Sequence, residues 1–278
     1  MLEDEHLKVI YFEQDSANIF PNTDIKGGVV VTYRNAREKL GPIEIFTAFD
    51  ELNSILHKVS VSTKETLDSI ISGRGVYRLS EKALNSYPQI EDIQSKGHKY
   101  DVGSGAFKIL SNIVFFDERQ SANDVQILGL ENLNRTYKWI DLDYLNPPKS
   151  FYKFKVFIPQ AIGSGAFGEV LSTPLVAPPR VGATETFLSI GGFDTREEAE
   201  ACLKYIKTKF ARAMLGILKI TQAATRDKWA KVPLQDFTSN SDIDWTQSII
   251  EIDQYLYHKY GLTEEEIKFI ESKVKDIE

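Results

Sequence analysis

Ile162-Gly163-Ser164-Gly165-Ala166-Phe167-Gly168-Glu169-Val170 is the stretch of this chain whose spelling points most directly at chemistry. Glycines at that spacing, with a trailing valine, form the loop that covers ATP phosphates in protein kinases. The rest of that machinery is missing. No Val-Ala-x-Lys strand, His-Arg-Asp or Asp-Phe-Gly follows, and residues 169–278 are too few for a catalytic lobe. What remains is either a plain surface loop or a place where small residues let the backbone approach a phosphate or groove closely. Acid–base candidates are weaker. Asp242 and Asp244 sit where carboxylates usually cap a helix. Glu266-Ile267-Lys268 spells part of a nuclease centre but falls inside a helical pattern and reads as surface. His6, His57, His98 and His258 are scattered, and Cys202 is the lone cysteine, so neither a thiolate–zinc cluster nor an internal disulfide is expected.

The elements that must position these residues follow from periodicity. Leu7–Phe12 and Gly28–Tyr33 read as two neighbouring strands joined by the turn-rich Phe20–Gly27. Phe49–Val59 has helical spacing, and Thr66–Ser72 reads as a second short helix ended by Gly73-Arg74-Gly75. Short strands are expected at Val76–Leu79, Phe107–Leu110, Val125–Leu128, Thr136–Ile140, Tyr152–Ile158 and Thr186–Ile190. A long helix follows, continuing through Phe210 to Ile220, with an apolar stripe of Ala199, Cys202, Leu203, Ile206, Phe210, Ala213, Met214 and Ile217. Ile249–Tyr260 is helical, and the capping box beginning at Thr263 opens a last helix. The fold class is α+β, with mixed or antiparallel sheets and flanking helices. No apolar run is long enough for a membrane span, the acidic N-terminus lacks a signal-peptide pattern, and a cytoplasmic location is expected.

Charge is unevenly placed. From Ala201 to Lys231 eight cations, Lys204, Lys207, Lys209, Arg212, Lys219, Arg226, Lys228 and Lys231, stand against Asp227 alone, a local +7 in a chain of net −7. That polarity predicts a solvent-facing basic surface that meets something anionic. Arg74 between glycines, Arg135, Tyr137 and Lys138 near one strand, and Ser164, Thr184, Thr186, Gln222 and Thr225 near the basic segment are residue types that contact phosphates and base edges.

Asn146-Pro147-Pro148-Lys149 is similar to the Asn-Pro-Pro-aromatic loop of amino-methylating DNA methyltransferases, but Lys149 replaces the ring that stacks on a flipped base. The nearest glycine turn, Gly103-Ser104-Gly105, follows a polar Lys99-Tyr100-Asp101, so a Pro-Pro turn between strands is the preferred reading. A broader resemblance is carried by Phe20–Val29 (with Asp24-Ile25-Lys26-Gly27-Gly28-Val29), Gly182–Phe187, Tyr205–Arg212, Val232–Phe237 and Tyr260–Ile267. Together and in this order they resemble the C-terminal part of adenine-N6 DNA methyltransferases of bacterial type II restriction–modification systems, including forms that also cut DNA.

The resemblance implies that residues 1–45 are the closing strands of a methyltransferase core. Residues 46–278 would be a DNA target recognition domain with C-terminal helices. The family's cofactor loop and catalytic loop lie upstream of the Asp-Ile-Lys-Gly-Gly-Val segment, so the chain reads as a fragment or separate subunit. No catalytic, metal or cofactor residues are expected in it, and S-adenosylmethionine belongs to the parent enzyme. The expected partners are double-stranded DNA and an upstream methyltransferase or nuclease domain. The candidate DNA-binding residues are Lys26, Arg74, Arg135, Lys138, Ser164, Thr184, Lys204, Lys207, Lys209, Lys219, Gln222, Lys228 and Lys231. The alternative is an assembly module that docks onto such a subunit without reading DNA.

Overall fold

The computed structural model describes residues 3–277 except 14, 24, 26, 27, 42, 44 and 164. The chain forms two compact units, residues 1–58 and 59–278. In the first, β1 (Leu7–Glu13) and β2 (Val29–Arg34) pair antiparallel from Leu7↔Arg34 to Glu13↔Val29, with a bulge between Val9 and Tyr11. Both strands are rich in β-branched and aromatic residues, which suits a pleated ribbon. Ile10, Tyr11, Val30, Val31 and Tyr33 remain 42–55% exposed on it. The boundary between units falls within helix α1 (Asp50–Ser62), which buries Leu52, Ile55 and Val59.

The second unit is α+β. It begins with β3 (Arg78–Leu79) and three short helices, α2 (Glu81–Ser86), α3 (Ile90–Ile93) and α4 (Ala106–Ile109). The hairpin β4 (Asp124–Glu131) and β5 (Asn134–Asp141) follows, then β6 (Leu145–Asn146), β7 (Phe154–Pro159), β8 (Leu175–Ala177), β9 (Val181–Ala183) and β10 (Phe187–Phe193). The chain ends in α5 (Arg196–Lys207), α6 (Lys209–Gly216), α7 (Ile249–Lys259) and α8 (Glu264–Lys273). One sheet has the order β5-β4-β9, with β9 parallel to β4; another has the order β10-β7-β8, wholly antiparallel; β3 and β6 form a short bridge. Phe107, Phe115, Ile127, Leu128, Phe151, Phe157 and Phe187 belong to one buried core that both larger sheets share. Among the described residues no helix is long and apolar enough to cross a membrane.

Four expectations are corrected. Phe107–Leu110 is not a strand: α4 is a single helical turn, and Phe107 and Leu110 meet the core from it. Phe107 and Ile109 are two apart, as in a strand, while Phe107 and Leu110 are three apart, as in a helix, so a run this short fits both periods. Thr66–Ser72 holds only a 3-10 turn at Leu67–Ile70. Strand β7 begins at Phe154, because Lys149–Tyr152 forms a 3-10 turn directly after Pro148. The long helix is two helices. Thr208 (φ −58°, ψ 150°) leaves helical geometry, donates its hydroxyl to Tyr205 O (2.7 Å) and accepts from Ala211 N (3.1 Å). One threonine thus ends α5 and caps α6.

Strand β7 also buries a charge-bearing residue. Lys155, fully buried, donates to the carbonyls of Phe151 (3.3 Å), Lys153 (2.9 Å) and Pro178 (2.9 Å). Its ammonium lies near the rings of Phe151 (5.8 Å) and Phe157 (5.9 Å), and burial pushes its pKa down to about 7.

Candidate nucleic-acid interface

The basic segment does not form the surface its composition predicts. Lys204 Nζ donates to the carbonyls of Trp245 (2.8 Å), Gln247 (3.0 Å) and Thr246 (3.4 Å), gathering the loop before α7. Lys209 is held between Glu271 (2.7 Å) and Asp276 (2.8 Å). Arg212 is buried and bonds Lys207 O, Thr208 O and Glu169 O. Lys219 is buried against Glu169 (3.2 Å). The reason is packing: Phe210 to Leu215 are all buried, so α6 has no solvent-facing back on which cations could stand. Lys228 pairs with neighbouring Asp227 (2.8 Å), while Lys207 and Lys231 are half-buried without a side-chain partner among the described residues. The positive excess is largely spent on carbonyls and carboxylates of the same unit.

The glycine-rich loop is likewise filled from within. Glu169 Oε2 accepts from Gly165 N (3.0 Å) and from Lys219 (3.2 Å). A Cβ on Gly163 (φ +59°) would sit 2.3 Å from that oxygen, and one on Gly165 (φ +100°) would sit 2.6 Å from the Thr221 backbone. The glycines therefore admit a carboxylate and a neighbouring backbone segment of the chain itself. Arg135, Lys138 and Thr184 are also turned inward. Arg135 donates to Ser172 O and Thr173 O, stacks 5.3 Å over Phe187, and has its pKa lowered by desolvation. Lys138 is buried between Asp117 and Glu131, both at 2.9 Å. Thr184 is buried against Thr186 (3.2 Å), and Gln222 is exposed. Lys26 and Ser164 lie outside the described residues. Asp242 and Asp244 cap no helix: Asp242 pairs with Lys259 (2.8 Å), Asp244 binds Thr246, and Ser248 caps α7. Glu266 is not surface but buried in the capping box with Thr263.

Arg74 is the candidate that opens onto a cavity. The chain before it is fixed to β10, since Ser72 N donates to Ser189 O (2.8 Å) and Ser189 N to Ser72 Oγ (2.9 Å). Gly75 (φ +62°) then lets the backbone pass Glu185, where a Cβ would meet Oε1 at 2.9 Å. Arg74 binds Glu185 Oε2 through Nε (3.1 Å) and Nη2 (2.8 Å). Nearby, Asp101 holds Arg78 (3.0 Å) with one oxygen and His98 Nδ1 (2.6 Å) with the other. Arg74, Arg78, His98, Asp101, Ser104 and Glu185 line a cavity of about 530 Å³. Arg74 also lines a second cavity of about 420 Å³ with Gln160, Thr225 and Arg226, whose Nε donates to Asp68 O (2.9 Å).

The electrostatic layout of this groove is directional. The side chains of Arg74, Arg78 and His98 are 63%, 47% and 65% exposed, whereas their carboxylate partners Glu185 and Asp101 are only 15% and 18% exposed. The recessed acids orient the two outward guanidinium groups, Arg74 and Arg78, which suits phosphate oxygens and base edges. Ser104, His98 and Asp101 share the cavity, and no hydrogen bond joins Ser104 to His98 among the described residues. No group of three metal-ligating side chains is present among the described residues. Sequence reasoning singled out Arg74 but missed its partners, because Arg74–Glu185 closes over 111 positions and nothing local marks it. Set against known proteins, this α+β chain matches no family model and no curated sequence.

Proposed function

We propose that the chain is the DNA-recognition part of a restriction–modification adenine-N6 methyltransferase, with the Arg74 groove as its duplex-binding site. The observation that carries this reading is the arrangement of outward arginines over recessed carboxylates, continued by Arg226 in the adjoining cavity. The sequence resemblance supplies the parent activity; this chain supplies positioning and sequence discrimination, while methyl transfer belongs to the upstream core. The loop around 73–78, rather than the basic helix, makes the principal approach to the duplex. The test is binding of the full chain to duplex DNA across a salt series. Replacing Arg74 and Arg226 by alanine should weaken binding and lower the salt-dependence slope by roughly 0.9 for each phosphate that is no longer neutralised. An unchanged slope removes the groove from the interface.

A second reading, docking onto a methyltransferase or nuclease subunit, is favoured by the ribbon β1–β2, which leaves Ile10, Tyr11, Val30, Val31 and Tyr33 exposed. Stable association with such a subunit, and no affinity for duplex DNA, would select it.

A further inference from the structure

The hairpin β4–β5 pairs residue for residue up to Glu131↔Asn134, leaving Asn132 and Leu133 as a two-residue loop. Both have positive φ, 50° and 66°, the signature of a type I′ turn. Asparagine suits the first position; the second strongly favours glycine, because a Cβ is disfavoured in the left-handed region. Leucine is therefore a poor choice on backbone grounds. It is equally poor on packing grounds: Leu133 is 92% exposed, the most exposed large apolar side chain among the described residues. A strained backbone position that presents an unpacked apolar side chain points to a use for the tip.

The register says where that tip stands. Strand β9 runs parallel to β4, with Leu128↔Ala183, and Thr184 N donates to Leu128 O (2.8 Å). Glu185, the anchor of Arg74, follows at once, so β4 runs toward the end of the sheet at which the groove lies. Past Leu128 the hairpin continues to its tip, a further ~16 Å at the usual rise per residue. Arg135, turned back onto Ser172 O and Thr173 O, braces the returning strand. At the tip itself the flanking side chains are the neutral amides Asn132 and Asn134.

We propose that Leu133 is an apolar wedge that enters between adjacent base pairs of a duplex lying along the Arg74 groove. The inference rests on the DNA-binding reading above. A lone leucine offers too little area to seat a protein partner, whereas a wedge needs one side chain, with neutral amides beside it to meet base edges. Partial unstacking at the wedge unwinds the duplex.

Topology measures this without knowing the recognised sequence. The full chain is bound to closed-circular plasmid, the complex is relaxed with a type I topoisomerase, and the topoisomers are resolved after the protein is removed. The expected result is a shift to negative supercoiling with the natural protein. Leu133→Gly should bind the plasmid nearly as well, lose the shift, and melt no lower than the natural protein, because glycine suits the turn. Plasmid binding with no shift, or an equal shift with Leu133→Gly, overturns the wedge and leaves DNA binding standing. No plasmid binding overturns the DNA-binding reading, and the wedge falls with it.

Discussion

Replacing Lys155 by methionine should change how stability depends on pH. Burial holds the Lys155 pKa near 7 against an ordinary value of 10.5. An unfolded chain therefore takes up a proton below about pH 10.5 that the folded chain refuses until about pH 7. Stability linked to this group is full above pH 10.5, falls as pH drops, and levels off below 7. Each pKa unit is worth about 1.4 kcal/mol, so the full span of 3.5 units (10.5 less 7) approaches ~5 kcal/mol. The three carbonyl acceptors favour the ammonium and make that figure an upper value. Methionine keeps the apolar stem and abolishes the titration, while Lys153 O and Pro178 O lose their donor at ~1–3 kcal/mol each. Phe151 O keeps the bond from Arg180 N (2.8 Å). Lys155→Met should thus be clearly less stable than the natural protein at pH 10 and should close most of that gap by pH 7. Urea unfolding of both proteins at each pH measures the difference, in which other titrations cancel. A difference that stays flat from pH 7 to 10 would show that Lys155 titrates normally inside the fold, and would refute the argument.

The internal use of the basic segment predicts that Lys204→Met and Lys209→Met each lower stability by roughly 1.5–3 kcal/mol through broken charge-assisted hydrogen bonds. Neither should alter the salt slope of DNA binding; thermal melting and a salt series on the same variants separate the two effects. Asp253, buried while accepting from Lys209 N (2.9 Å) and Phe210 N (2.8 Å), has its pKa raised by burial to about 6, above its ordinary 3.8. Its contribution is full below pH 3.8 and is lost as pH rises through 6, so the natural protein should lose stability relative to Asp253→Asn between pH 4 and 7 in chemical unfolding.

How much of this was legible before the structure depended on whether the deciding interactions were local. Strands β4, β5 and β10 follow from short apolar runs set between turn-forming residues, and the cap of α8 from Thr263 and Glu266 three residues apart. The break at Thr208 was hidden because the apolar spacing runs on through it: α6 is buried almost all round, so its periodicity carries no phase information. Ser80 caps α2 through Ala83 N, a local signal masked by the short strand-like runs around it. The basic face failed for a different reason. Composition counts lysines but cannot tell that Lys204 closes a loop 41 residues later, or that Lys219 is 50 residues from the glutamate it meets. Arg74 stood out through its flanking glycines; Arg78, His98 and Asp101 converge on it only after α3 and α4 fold.

The carboxylate lodged in the glycine-rich loop has one more consequence. Such loops are commonly read as sockets awaiting a nucleotide, yet here plug and socket are encoded six residues apart, Gly163 to Glu169, and Lys219 supplies the counter-charge. A visiting phosphate would compete with a tethered group already at high effective concentration, and eviction would strand a buried lysine beside an unfamiliar anion. The glycine pattern is thus a record of backbone shape, and nucleotide chemistry is only one of the guests that shape can hold.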